Sequence, residues 1–119
     1  MTDNLYIYSF EFYKGVTIVR MQGDVVGQTL PDVKQEFSAK TKNKDIKNIL
    51  FDLYKVSDTD TAGVAGLIEL FRYMKKHQTG DKIGLINVPK KVNDLFDISG
   101  TGALFMSFET EEEAIKALG

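Results

Sequence analysis

The chain has 119 residues, of which 43% are hydrophobic and 27% are charged, and this length and composition predict one globular domain spanning residues 1–119. It contains no cysteine, which excludes a disulfide framework, a thiol nucleophile and a cysteine-based zinc site. Its 15 basic and 17 acidic residues give a net charge of -2, unlike the basic footprint of a nucleic-acid-binding protein, so we expect no direct contact with nucleic acid.

The beginning of the chain predicts a β-hairpin. Residues 5–12 read Leu-Tyr-Ile-Tyr-Ser-Phe-Glu-Phe and are rich in the aromatic and β-branched residues that strands favour. Lys14 and Gly15 then supply a tight connection to a second strand at residues 16–21, which Gly23-Asp24 is expected to end.

A helix and a central strand are predicted next. Thr29 is a candidate N-cap for a helix that runs to about Thr41, with Pro31 and Asp32 in its first turn. Residues 47–54 include a nearly continuous apolar run, which is typical of a strand covered on both faces of a sheet. Residues 56–60 are polar and predict a loop.

The second half of the chain alternates helices with strands. A long helix is predicted from Thr61 to about Gln78, followed by a buried strand at residues 83–87. Pro89 begins a short helix that residues 99–102 close, and a short strand is expected at 104–108. Thr110 then caps a final helix, and Glu113 completes a capping-box pattern.

The predicted order is therefore β-β-α-β-α-β-α-β-α. Alternation of strands and helices implies parallel crossovers, with one antiparallel hairpin strand at an edge. We predict an α/β fold with a mixed, mostly parallel sheet of 4–5 strands and about four helices. The strands at 49–53 and 83–86 should be parallel to each other and covered by helices.

Most familiar catalytic signatures are missing. The single histidine, His77, sits near the predicted end of the long helix, where a cationic side chain complements the helix terminus. There is no Gly-x-Ser-x-Gly elbow, no phosphate-binding loop and no dinucleotide fingerprint. Asp52 in the central strand is a weak hint of a site. We expect no enzymatic activity, no cofactor and no metal site.

The location of the protein is predicted from what its sequence lacks. No apolar run approaches the roughly 18 residues of a membrane span. The first four residues, Met-Thr-Asp-Asn, lack the basic and apolar regions of a signal peptide. We therefore expect a cytoplasmic protein.

One segment stands out, at residues 56–63, which read Val-Ser-Asp-Thr-Asp-Thr-Ala-Gly. Asp60 is a good N-cap candidate, so Thr61 would be the first residue of the long helix. A hydroxyl at that position is accessible, and a helix N-terminus accommodates a phosphate well. On the residues alone, an ordinary polar helix cap is favoured over a modification site.

This segment resembles the signature of STAS domains, which include the bacterial anti-sigma factor antagonists. In that family a strand of the type Leu-Asp-Leu, here residues 51–53, precedes a loop ending Asp-Ser-Ser-Gly, here Asp-Thr-Ala-Gly at 60–63. A second similarity is Val-Asn-Asp-Leu-Phe-Asp-Ile-Ser-Gly at 92–100, and a third is Gly-Asp at 23–24. The similarity in element order covers nearly the whole chain.

The resemblance implies a phosphorylation-controlled partner switch. The unphosphorylated protein would bind an anti-sigma factor that is also a serine/threonine kinase of the GHKL type. That kinase would phosphorylate Thr61, and a separate protein phosphatase would reverse the reaction. The residues that the resemblance assigns to partner binding are Asp24, Asp58, Asp60, Thr61, Ala62, Gly63, Ser99 and Gly100.

The chain departs from the family pattern at three positions. Thr61 stands where the family has its phosphorylated serine, and Ala62 follows where a serine is usual. Val26 replaces an acidic residue of the third motif, so the identity of the partner stays open. Other functions also stay open: an accessory subunit of a membrane transporter, a signalling scaffold, and a weak enzyme or small-ligand binder that uses a pocket near Asp52 and Asp60.

Overall fold

The computed structural model describes residues 5–25, 30–42, 45–59, 61–76, 80, 82–90, 92–94 and 105–119. Residue 90 and residues 92–94 form a short helical segment. The elements in chain order are β1 (Tyr6–Tyr13), β2 (Val16–Val25), α1 (Leu30–Thr41), β3 (Asn48–Thr59), α2 (Thr61–Lys75), β4 (Ile83–Ile86), β5 (Met106–Phe108) and α3 (Glu111–Leu118).

The strands form one mixed sheet in the order β1-β2-β3-β4-β5. β1 is antiparallel to β2, and each of the other neighbouring pairs is parallel. Ile49 lies opposite Ile83, so the two strands that were predicted to be parallel are parallel and also pair with each other. The predicted fold class is confirmed.

The hairpin between β1 and β2 turns within two residues. Tyr13 pairs with Val16, and the residues between them, Lys14 and Gly15, have φ angles of 52° and 79°. Two successive positive φ values are typical of a type I′ turn, whose twist matches that of the strands it joins. The predicted tight connection is therefore confirmed, although Lys14 is a non-glycine residue in the left-handed region.

The core lies on both faces of the sheet, which explains the continuous apolar run in β3. Ile49, Phe51 and Leu53 belong to the larger cluster, where α1 and α2 pack. The Phe51 ring stacks on that of Phe71 in α2 with centroids 4.1 Å apart. Leu50 faces the other way, into a smaller cluster completed by α3. The members of that smaller cluster are Val16, Ile18, Leu50, Ile86, Ala114 and Leu118.

Two predicted strand ends were wrong. β2 continues through Gly23 and Asp24 to Val25, and β3 continues through the polar residues 56–59 that were predicted to be a loop. The reason is that the two strands pair with each other, with Val25 opposite Thr59. Ladder hydrogen bonds can hold polar residues in extended structure against their local preference for turns.

The helix predictions agree with the structure where it describes them. α1 ends at Thr41 as expected, and α2 begins at Thr61 but ends at Lys75, short of Gln78. Thr29, His77, Leu95, Phe96 and the closing residues 99–102 lie outside the described residues. Among the helices of the described segments, none is long and apolar enough to cross a membrane.

Candidate functional site

The candidate site lies where β3 passes into α2. β3 ends at Thr59 and α2 begins at Thr61, with one residue between them, Asp60, which lies outside the described residues. Because the sheet is parallel at this point, the start of α2 opens at the carboxyl end of the strands. In open α/β sheets this is the usual position for binding sites.

β2 brings a second acidic residue to the same end of the sheet. Gly23 lies opposite Val56 and Val25 lies opposite Thr59, so Asp24 and Asp58 occupy adjacent strands. Asp24 is partly exposed. The residues 95–104 that contain the predicted contributors Ser99 and Gly100 lie outside the described part of the chain.

The first turn of α2 has the electrostatic character of an anion site. Its first turn holds no acidic residue, whereas its last turn carries Arg72 and Lys75. The first four N–H groups of a helix have no partner within the helix, and the helix dipole adds positive potential there. Thr61 and Ala62 lie in this turn, together with Gly63, which is buried.

A cluster of charged residues on the α3 side of the sheet was missed by the sequence analysis. The Arg20 guanidinium in β2 contacts three carboxylates from three different elements. Its Nη1 lies 2.6 Å from Oδ2 of Asp52, and its Nη2 lies 2.7 Å from Oε1 of Glu111. Its Nε donates to Glu11 of β1. Arg20 therefore ties β1, β3 and α3 to β2.

Asp52 is held in this cluster by further hydrogen bonds. Its Oδ1 accepts from Asn87 Nδ2 at 2.9 Å and from the Tyr54 main-chain N–H at 3.0 Å. Burial lowers the pKa of Arg20, but the hydrogen bonds to its carboxylate partners outweigh burial and raise that pKa above its ordinary value. Asp52 therefore acts as a structural anchor, although it lies in the strand that leads to the candidate site.

Three cavities formed by described residues have linings that do not include Asp52. Two of them, of about 610 and 640 Å³, open between the β1–β2 hairpin and α3, beside Tyr13 and Ile115. Neither is lined by Asp52, so they give no support to a ligand pocket there. Within the described segments, no group of three or more histidine, cysteine, aspartate or glutamate side chains is arranged to hold a metal ion.

Comparison with known proteins identifies the fold family. A family model described as the STAS domain matches residues 8–114. This chain belongs to the STAS domain family. A protein of Paenibacillus polymyxa named as an anti-sigma F factor antagonist is 28% identical over 108 residues, which are 91% of each chain.

Solved structures agree with this STAS assignment at the level of the fold. An anti-sigma factor antagonist from Mycobacterium paratuberculosis is 21% identical, with a TM-score of 0.73 over 98% of this chain and 95% of the other. The Bacillus cell fate determinant SpoIIAA in its phosphorylated form is 20% identical, with a TM-score of 0.63 over 93% of this chain and 98% of the other.

The structure places some of the three STAS sequence motifs at the same end of the sheet. Residues 23–24 and 56–59 meet there through the pairing of β2 with β3, and residues 61–63 begin α2 at the same end of the sheet. The motif at 92–100 begins in the short helical segment and then leaves the described residues. Two features of the sequence could have predicted the missed ion pair. Arg20 is a charged residue at the end of a predicted strand, and Asp52 is a charged residue inside an apolar run.

Proposed function

We propose that this STAS domain is an anti-sigma factor antagonist whose binding to its partner is switched by phosphorylation of Thr61. The observation that carries the proposal is the position of Thr61, the first residue of α2, at the carboxyl end of the parallel strands. The relative from Paenibacillus polymyxa, named as an anti-sigma F factor antagonist, supports the general function.

The start of α2 suits a phosphate on physical grounds. A phosphate adds about -1.5 to -2 charge at neutral pH. At a helix N-terminus, negative charge is favourable by about 0.3–1 kcal/mol. The first turn of α2 has no acidic residue of its own to repel the phosphate. Modification of Thr61 should therefore leave the fold intact.

The switch should then act at the surface of the protein. Asp24, which is partly exposed, lies at the same end of the sheet as Thr61, so a phosphate adds to negative charge that is already there. A partner that binds the unmodified surface meets extra bulk and extra negative charge after phosphorylation. Like charges brought together at an interface oppose binding, so the partner is released.

The partner in this proposal is an anti-sigma factor that is also a serine/threonine kinase of the GHKL type. The kinase transfers a phosphoryl group from ATP to the Thr61 hydroxyl, and a protein phosphatase hydrolyses the phosphate. In both reactions this chain is the substrate and the binding partner, while the other protein is the catalyst. We place the cycle in the cytoplasm, where ATP is available to the kinase.

The test begins with the partner. The Thr61→Ala variant removes one hydroxyl, adds no charge and blocks release, so it should retain the kinase from an extract of the native cell. The parent chain is then incubated with that kinase and ATP, and the product is measured by intact mass and phosphopeptide mapping. We expect one phosphate, on Thr61, and none on the Thr61→Ala variant.

Binding of the variants completes the test. Thr61→Glu should weaken binding to the kinase by about tenfold or more, which is about 1.4 kcal/mol. Thr59→Ala, at the last residue of β3, is the matched control and should be phosphorylated and bound like the parent. Phosphate on Thr59 or Ser57, or parental affinity in Thr61→Glu, would refute the switch. Co-purification with a membrane transporter and no phosphorylation would favour the accessory-subunit alternative.

A further inference from the structure

The end of the sheet opposite Thr61 gathers most of the lysines that the structure describes. Because β2, β3 and β4 are parallel, α1 and α2, which connect them, end where the next strand begins. α3 also ends there, since Asn48 Nδ2 at the start of β3 donates a hydrogen bond to the Leu118 carbonyl at 2.6 Å. Eight exposed lysines lie at these strand starts and helix ends, and together they form what we call the basic end: Lys14, Lys40, Lys42, Lys47, Lys75, Lys76, Lys82 and Lys116.

Contacts between elements show that these lysines share one surface. The Lys47 side chain lies beside the β1–β2 turn, because its Cδ is 4.0 Å from the position that a Cβ on Gly15 would take. The Lys82 ammonium donates to the Ala117 carbonyl at 3.3 Å, in the last turn of α3. The last turn of α3 and the β1–β2 turn line one cavity of about 610 Å³. The hairpin, both strand starts and α3 therefore present their lysines side by side.

The basic end stays positive when its acidic neighbours are included. Three carboxylates lie near it, those of Asp45, Glu112 and Glu113. Arg72 in α2 is paired with Glu69 at 3.6 Å, so that pair adds no charge. The C-termini of the three helices contribute about -0.5 charge each. Against eight lysines, these contributions leave about three positive charges among the described residues.

Exposed aromatic side chains lie next to these charges. Phe12 and Tyr13 end β1 and are 50% and 51% exposed. Lys14 follows them in the turn, and its Nζ lies 5.3 Å from the centroid of the Tyr13 ring. Aromatic rings beside lysines are typical of protein surfaces at a membrane–water interface, where the ring lies at headgroup level and the ammonium groups contact anionic headgroups.

We propose that the basic end binds the surface of a bilayer that contains anionic lipids, without crossing the bilayer. The positive charge and the aromatic side chains of the hairpin are complementary to such a surface. Each of the eight cations is a lysine, a hydrated point charge on a flexible stem, which suits a fluid layer of headgroups. Recognition of a nucleic acid or a folded protein through fixed geometry favours the rigid guanidinium of arginine instead.

The proposal is independent of the phosphorylation switch. β3 separates the two ends of the sheet, and its 12 residues span about 40 Å. The start of α2 therefore lies well beyond the roughly 10 Å over which a charged surface acts at physiological salt. A chain bound through its basic end keeps the start of α2 directed away from the bilayer.

Co-sedimentation with vesicles tests the proposal on the whole, unphosphorylated chain. The vesicles are phosphatidylcholine alone or phosphatidylcholine mixed with phosphatidylserine. About three unbalanced charges should make binding to the mixed vesicles about 100-fold stronger than binding to phosphatidylcholine alone. The difference should disappear at about 1 M salt, where the screening length is only about 3 Å.

Two double variants with the same net charge locate the binding surface. Lys47→Gln with Lys116→Gln removes two charges from the basic end and should weaken binding to the mixed vesicles about tenfold or more. Lys55→Gln with Lys90→Gln is the matched control, because both lysines are exposed, Lys55 lies in the second half of β3 and Lys90 follows β4. The control should bind like the parent.

Tryptophan fluorescence shows which part of the chain meets the bilayer. The sequence contains no tryptophan, so Tyr13→Trp and Tyr54→Trp each introduce a single reporter. With mixed vesicles, the emission of Tyr13→Trp should shift to shorter wavelength. Tyr54 is 74% exposed but lies about 20 Å along β3 from its start at Asn48, so the emission of Tyr54→Trp should not shift.

Several results would overturn the proposal. The comparison of vesicles needs no variant, and equal binding to both kinds of vesicle would contradict it. So would an equal loss of binding in the two double variants, or a shift for Tyr54→Trp as large as that for Tyr13→Trp. Binding of duplex DNA as tight as binding to the mixed vesicles would make the basic end a general polyanion site instead. Self-association that Lys47→Gln with Lys116→Gln abolishes would make a second copy the occupant.

Discussion

Replacing Arg20 with methionine tests the role assigned to the charged cluster. Methionine keeps most of the length of the arginine stem but removes the cation that faces Asp52, Glu11 and Glu111. The Asp52 carboxylate, whose side chain is 7% exposed, is then left with two neutral donors, Asn87 Nδ2 and the Tyr54 N–H. A buried carboxylate without a cation is strongly disfavoured.

The expected loss of stability follows from this burial. Breaking a fully buried ion pair by removing one partner costs about 3–5 kcal/mol. Arg20 keeps 18% of its side chain exposed, so part of its charge is already solvated in the native protein. The neutral donors to Asp52 remain. We therefore expect a loss of about 2–4 kcal/mol in the free energy of unfolding.

Urea unfolding followed by circular dichroism measures this loss. For a domain of this size, the loss should lower the urea midpoint by about 1–2 M at an unchanged slope. Adding Asp52→Asn to Arg20→Met should restore about 1–2 kcal/mol. The reason is that the amide oxygen still accepts both neutral hydrogen bonds while the buried charge is removed.

The controls address the exposed members of the cluster. Glu11→Gln removes a carboxylate that is about half exposed, and such a contact is worth about 0–1 kcal/mol. If Arg20→Met costs less than about 1 kcal/mol, or if the double variant is destabilised by the sum of the two single losses, the buried-pair reasoning is wrong.

Three further predictions concern packing, capping and pH. Gly84→Ala should lower the free energy of unfolding by about 1–3 kcal/mol, because a Cβ there would lie 2.7 Å from Cδ1 of the buried Leu118. Thermal or urea unfolding measures this loss. If the variant is as stable as the parent, α3 moves to accommodate the methyl group and the prediction is wrong. Thr110→Ala should cost about 0.5–2 kcal/mol, because the Glu113 N–H loses its acceptor at 3.2 Å, and Thr110→Ser should retain most of that stability. Burial raises the pKa of Tyr8 above 10.0, so the unfolded chain loses this proton first. The free energy of unfolding should therefore fall as the pH rises from 10.0 through the pKa of Tyr8 in the folded protein, and Tyr8→Phe should reduce that fall. Unfolding measured at several pH values, with the tyrosine titration followed by absorbance, checks this. The prediction is wrong if the parent and Tyr8→Phe lose the same stability over this pH range.

Patterns that depend on neighbouring residues in the chain predicted the structure well. The two-residue hairpin turn at 14–15, the start of α2 at Thr61 and the Thr110 cap of α3 are all confirmed. Each depends on the intrinsic geometry of a few adjacent residues. The apolar run in β3 also predicted its burial correctly, because a strand covered on both faces needs apolar residues at every position.

Predictions failed where the outcome depended on a partner strand. The polar residues 56–59 predicted a loop, yet β3 continues through them beside the extended end of β2. The same pairing brings Asp24 next to the strand of Asp58, a proximity that no local pattern contains. The position of Thr61 at the start of α2 could be predicted from the helix pattern. The residues that lie near it could not be predicted, because they depend on the register of the sheet.

The sequence by itself determined the element order, the alternation that produces a parallel sheet and the residue that begins α2, because these follow from side-chain periodicity and turn chemistry. Only the tertiary structure decided the partners of Arg20, which come from β1, β3 and α3 and are separated from it by 9, 32 and 91 positions in the chain. It also decided the register that places Asp24 beside the strand of Asp58. Ion pairs and strand register arise from contacts between distant segments, so they exist only once the sheet has formed.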